Sequence, residues 1–136
     1  MPVEIAFETH SISEDNERGI ATGWLPGRLS ERGRGLAREL GARQRRDRLA
    51  AIFSSGLTRA VEIVAIAFAG TELPVRADRR PRECDYGQLN GAAVERVAPR
   101  SRFITTPFPG GETGRALEDL VDAPFAWQPG WLYRMT

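Results

Sequence analysis

The sequence predicts an α/β protein with a three-layer, mostly parallel open sheet flanked by helices. Short apolar runs rich in β-branched and aromatic residues alternate with longer segments whose apolar residues recur at helical spacing. Strand-helix alternation of this kind favours parallel strands joined by right-handed crossovers. After Pro81 the chain becomes loop-rich, punctuated by Gly87, Gly91, Pro99, Pro107, Pro109, Gly110 and Gly111.

Val3 to Phe7 is the first predicted strand, and it delivers Glu8, Thr9 and His10 to its C-terminal end. Ligands bind at that end of the strands in open α/β sheets. Ser30 is a predicted N-cap, and Gly33, Leu36, Ala37 and Leu40 follow at i, i+3, i+4 and i+7, which marks an amphipathic helix. Leu49 to Phe53 is the second strand, ending in Ser54-Ser55-Gly56; Leu57 to Phe68 is the second helix, closed by Gly70. Pro74 to Ala77 offers a third short strand.

The 136 residues suit a single domain spanning residues 1–136, and 41% apolar with 27% charged residues is an ordinary globular composition. All 19 basic residues are arginine, balanced by 18 acidic ones to a net charge of +1, so strong whole-molecule attraction to nucleic acid is not expected. Arg43, Arg45, Arg46 and Arg48 cluster at a predicted helix C-terminus, where cations complement the dipole. No aromatic residues are interleaved with them to stack on bases, so a solvated helix end is the favoured reading over nucleic-acid contact. Cys84 is alone and no Cys/His cluster exists, so neither a disulfide, a metal nor another cofactor is expected. No segment approaches the ~20 apolar residues that cross a bilayer, and MPVEIAFETH is not a signal sequence, so no membrane partner and a cytoplasmic location are expected.

A lone histidine is more often structural than catalytic, but the context of His10 changes that. It follows a strand; Asn16 comes six residues later; then Gly23-Trp24-Leu25 leads into Leu29-Ser30-Glu31-Arg32-Gly33. Three further stretches follow in order: Ser54-Ser55-Gly56-Leu57-Thr58-Arg59-Ala60 with Glu62, Arg82-Glu83-Cys84-Asp85-Tyr86-Gly87 with Gly91, and Pro109-Gly110-Gly111-Glu112. Together they resemble the histidine phosphatase (phosphoglycerate mutase-like) superfamily, over most of the chain. The resemblance implies a phosphatase in which the neutral His10 imidazole attacks a small phosphorylated substrate and forms a phosphohistidine. It implies Arg59 as the phosphate clamp and Glu83 as the acid/base carboxylate, a role that wants a raised pKa. Asn16 is then a donor to phosphate or loop, a turn-stabilising Asn being the bland alternative; for Glu83 the alternative is a surface ion pair.

The chain departs from the family pattern in Thr9-His10-Ser11, where the family has arginine before the nucleophile and glycine after it. The family also carries a second histidine on a later strand, and His10 is the single histidine in these 136 residues. Family chains continue well past the GGE-like motif, whereas here Thr113 to Thr136 remains, and its run from Leu120 to Tyr133, with Phe125, Trp127 and Trp131, resembles a family C-terminal segment joined directly. A truncated version of the fold is therefore expected. The sheet edge left beside the first strand would be covered by this aromatic segment or by a second copy of the chain in a homodimer. Reduced activity follows, with Arg18 or Arg82 as replacements for the lost charge. The alternative is a catalytically inactive scaffold that binds anions or partners.

Overall fold

The first apolar run becomes β1 (Ile5–Thr9), and after a polar loop come a single helical turn, α1 (Glu14–Glu17), and a two-residue strand, β2 (Ile20–Ala21). The structure is a computed structural model that describes residues 5–45, 49–98, 100–113 and 131–135. Helix α2 (Glu31–Gln44) starts where the N-cap pattern places it, with Ser30 accepting a hydrogen bond from the Gly33 N–H. Then follow β3 (Ala51–Ser54), α3 (Thr58–Ala67) and β4 (Val75–Ala77). The loop-rich part contributes β5 (Ala92–Ala93) and the short α4 (Val94–Val97), and Trp131–Met135 forms β6. Trp131 thus opens a strand, while Val3, Arg46, Arg48, Phe125 and Trp127 lie outside the described residues.

The main sheet has the order β1-β6-β3-β4. β3 and β4 are parallel, and β6 runs antiparallel to both β1 and β3, so β1, β3 and β4 all point the same way. These three are the strands that the alternation predicts. β6 is an addition from the C-terminal segment, inserted beside β1 in register Ile5↔Met135 to Thr9↔Trp131. That pairing also explains why β1 runs to Thr9 rather than stopping at Phe7: hydrogen bonding to a partner, not hydrophobicity, sets the strand end. Among the described residues, nothing pairs with the other edge of β1.

Two apolar clusters hold the elements in place. Leu40 of α2 and Ile63 of α3 pack with Ile52 of β3 and with Leu29, and both Leu29 and Ile52 are 0% exposed. The second cluster joins Tyr86, Leu89, Val97 and Phe108, with the Phe103 and Phe108 rings stacked at 4.0 Å. The clusters fix the two groups of loops between which the site forms.

Glu62 on α3 fastens the approach to α2. Its Oε2 accepts from the Leu29 N–H at 2.9 Å and its Oε1 from Arg34 Nε at 2.8 Å. Partial burial alone would raise this carboxyl, but the Leu29 and Arg34 bonds outweigh it and hold the group below the usual glutamate range. A carboxyl depressed on folding binds fewer protons in the native state. Its contribution is therefore complete above the unfolded value of about 4.3 and vanishes as pH falls through the lower folded value. Glu62→Ala leaves the Leu29 N–H unsatisfied and should cost about 1–3 kcal/mol at neutral pH. Urea midpoints should show the gap between the two proteins narrowing in acid; a pH-independent gap would contradict the assignment.

Candidate active site

β1 delivers His10 to the C-terminal end of the sheet, and the next residues are tied to the start of α2. The Ser30 N–H donates to the Ile12 carbonyl at 3.1 Å, and Ser11 Oγ donates to the Gly33 carbonyl at 2.9 Å. A Cβ on Gly33 would stand 1.9 Å from the Ile12 oxygen, so this approach of loop to helix requires glycine. His10 itself is half-buried, with Nδ1 2.6 Å from the Ser11 carbonyl. A carbonyl can only accept, so Nδ1 carries the proton and the neutral ring keeps its lone pair on Nε2. Burial is the main reason that the imidazole titrates below its ordinary value. The Ser11 bond opposes that, the Arg59 charge adds to it, and the Glu83 charge opposes it.

Arg59 is the second residue of α3, and its side chain points inward to 2% exposure. Its Nη1 donates to the Gly23 carbonyl at 3.0 Å. Burial lowers its pKa, against the nearby charge of Glu83 and the influence of Tyr86 and Asp15. Gly23 has φ +55°, and a Cβ there would stand 1.8 Å from Asn90 Oδ1, so the Gly23-Trp24 loop can lie against Asn90 only with glycine. No side chain caps the N-terminus of α3, which leaves its first-turn N–H groups to add positive potential on the side of Arg59.

Glu83 is held at both ends. Tyr86 Oη donates to its Oε1 at 2.9 Å, the Cys84 N–H reaches the same oxygen at 3.3 Å, and Trp24 Nε1 donates to its main-chain carbonyl at 2.6 Å. The carboxylate therefore has one oxygen engaged and Oε2 without a hydrogen-bond partner among the described residues. Behind it, Glu112 Oε2 accepts from the Asp85 N–H at 3.0 Å, and Asp85 accepts from the Glu112 N–H at 2.9 Å, so the Pro109-Gly110-Gly111-Glu112 stretch braces the loop.

The structure brings His10, Arg59 and Glu83 within electrostatic reach of one another. Asn16 is placed differently: it is exposed, and its Oδ1 accepts from Ser13 N and Ser13 Oγ, both at 2.9 Å, in a capping box at α1. Its amide N–H₂ is what remains to offer. Arg18 lies on the surface, 3.6 Å from both Glu14 and Asp15. Trp24, Tyr86 and Asn90 are positioning residues that sequence reasoning passed over. Trp24 and Tyr86 stand inside the quoted motifs, and that was their signal; Asn90, just before Gly91, had none. A cavity of about 230 Å³ opens beside His10 toward Leu36 and Leu40 of α2, but neither Arg59 nor Glu83 lines it.

An open α/β sheet that presents a histidine, a buried arginine and a carboxylate at its strand ends defines a class of site suited to phosphoryl groups. Residues 8–125 match the family model described as the histidine phosphatase superfamily (branch 1). The chain is 33% identical over 131 residues to a 2,3-bisphosphoglycerate-dependent phosphoglycerate mutase of Methylobacterium sp. (strain 4-46), covering 86% of this chain and 62% of that protein. It is 32% identical over 120 residues to phosphoserine phosphatase 1 of Hydrogenobacter thermophilus, covering 82% of this chain and 57% of that one. The fold also matches an alpha-ribazole phosphatase from Shigella flexneri, with a TM-score of 0.76 at 19% identity over 88% of this chain and 64% of that chain. The chain belongs to the histidine phosphatase superfamily. It spans about 62% of the length of the Methylobacterium relative.

Because His10 is the one histidine in the 136 residues, its ring signals can be followed by NMR without ambiguity. The titration midpoint should lie below the ordinary ~6.5. Arg59→Met should raise it by removing a positive charge, and Glu83→Gln should lower it. A midpoint at or above the ordinary value, insensitive to both substitutions, would contradict the described arrangement.

Proposed function

We propose that this chain is a phosphatase that hydrolyses a small phosphomonoester through a phosphohistidine on His10, with reduced efficiency. The observation that carries this reading is the imidazole itself: Nδ1 is fixed by the Ser11 carbonyl and the ring is biased toward neutrality, beside Arg59 and Glu83. Nε2 attacks phosphorus, and the bond from phosphorus to the ester oxygen breaks. Glu83 is the acid that gives the leaving oxygen its proton. The resulting carboxylate then takes a proton from water, whose oxygen attacks the phosphohistidine, releasing phosphate and restoring the neutral ring. Arg59 holds the phosphoryl oxygens as charge shifts onto them; its fork matches two oxygens, and its burial strengthens the interaction. Asn16, closing the capping box of α1 with Ser13, fits the turn-stabilising alternative.

The reduced efficiency follows from Thr9, which puts an uncharged residue where the resemblance expects a second clamp. One missing donor of this kind costs about 100- to 1,000-fold in rate. The same observation favours the second reading, an anion-binding scaffold without turnover. Release of phosphate from a generic aryl phosphate separates them. His10→Ala should abolish turnover above background, and Arg59→Ala should lower kcat/KM by about 100-fold or more. Undiminished turnover by the His10→Ala protein would exclude this mechanism. Phosphate binding without any turnover by the unaltered protein would favour the scaffold.

A further inference from the structure

We infer that Asp15 is a positioning residue for the proposed reaction: held by Thr22, it fixes the stretch of loop whose Gly23 carbonyl orients Arg59. This rests on the phosphomonoester reading above and deepens it by giving a role to a residue that no motif in the sequence marks. Helix α1, which carries Asp15, buries none of its own residues, so apolar packing is not what seats it. Hydrogen bonds do: the Glu14 N–H donates to the Arg28 carbonyl at 3.0 Å, and the buried Ser13 bridges to Leu29. From that seat the Asp15 carboxylate turns inward. Its Oδ2 accepts from Thr22 Oγ1 at 2.8 Å, whereas Oδ1 lies 3.6 Å from the exposed Arg18, a pairing that water screens.

Thr22 is itself buried, and one residue further on the Gly23 carbonyl accepts Arg59 Nη1 at 3.0 Å. A carboxylate, a hydroxyl, a peptide carbonyl and a guanidinium thus connect α1 to the first turn of α3. Against the burial that disfavours the Arg59 cation, Asp15 adds its negative charge to the influence of Glu83 and Tyr86. Gly27 lets the turn toward α2 fold over the Asp15-Thr22 bond: a Cβ there would stand 2.7 Å from Thr22 Cγ2 and 3.5 Å from Asp15 Oδ2. The bond is therefore covered as well as charge-assisted, which makes it one of the stronger kinds. Removing Asp15 leaves the buried Thr22 hydroxyl without its acceptor and frees the Thr22-Gly23 stretch. Arg59 then loses a fixed acceptor and an opposite charge together, and its guanidinium is no longer aimed. Arg59 is one of the charges that act on His10, so its displacement can be read at the imidazole.

The test follows the His10 titration by NMR, which needs no turnover. Arg59 lowers the His10 midpoint, so Asp15→Ala should raise it, in the same direction as Arg59→Met, because a displaced guanidinium acts on the ring less. Plain loss of a negative charge would have the opposite sign and lower it. When Asp15→Ala is added to Arg59→Met, the midpoint should not rise further, since the effect passes through Arg59. Asp15→Asn keeps an acceptor for Thr22 and should give a smaller rise; Thr22→Val removes the donor at constant shape and should give a rise of its own. With a generic aryl phosphate, Asp15→Ala should lower kcat/KM by about 10- to 100-fold, the scale of one hydrogen bond to a charged group, and mainly through kcat, with Asp15→Asn recovering part of the loss. A His10 midpoint that falls or stays in place in Asp15→Ala, or that rises again in the double variant, would overturn the inference. The expected midpoints without turnover by any of the proteins would leave the Asp15 role standing and refute the phosphatase reading. Turnover by the unaltered protein with an unresponsive midpoint would do the reverse.

Discussion

A guanidinium at 2% exposure is the constraint around which the rest of the site is arranged. Burying a cation is costly unless acceptors and opposite charge come with it, and Arg59 has gathered both. The Gly23 carbonyl accepts its Nη1, while Glu83 and Asp15 supply negative charge from two other segments. Thr22, next to Gly23, donates to Asp15 at 2.8 Å and so holds that carboxylate in place. The loop after β2, the first turn of α3 and the segment after Pro81 are drawn to one point by the need to satisfy one side chain. Placing Arg59 on α3, whose inner face packs into the main core, makes its position as rigid as the core itself.

The histidine and the carboxylate reach that point from different halves of the molecule. His10 depends on the seam between residues 11–12 and the start of α2, which Gly33 allows to close. Glu83 depends on the second apolar cluster, through Tyr86, and on Glu112 bracing Asp85 from behind. Trp24 joins the two halves: its backbone N–H reaches Asn90 at 3.3 Å and its indole N–H reaches the Glu83 carbonyl. Loss of either packing unit would disturb the relation between His10 and Glu83 without touching either residue.

Much of this was legible in the sequence because it is local. The Ser30 cap, the helical spacing in α2 and α3, and the strand ends that carry His10 and the Ser54-Ser55-Gly56 loop depend on neighbours within a few residues. The candidate trio of His10, Arg59 and Glu83 came from collinear motifs, and the fold brings its members within reach of one another. What was not legible depends on long-range pairing. The insertion of β6 between β1 and β3 pairs it with strands far away in sequence, as in Ile5↔Met135 and Ala51↔Met135, and two-residue strands such as β2 and β5 have no pattern to read. Asn16 is a different case. Ser13 and Asn16 stand at capping-box spacing, but a four-residue helix is too short to show a periodic pattern.

The proposed mechanism requires His10 to accept phosphorus, and trapping that intermediate is the most direct test. A rapid acid-free quench after exposure to a radiolabelled phosphoryl donor, followed by peptide mapping, should place a base-stable, acid-labile label on the peptide containing His10. The label should be absent from the His10→Ala protein. A label on any other residue, or turnover by the unaltered protein with no labelled His10 peptide at any quench time, would contradict the account.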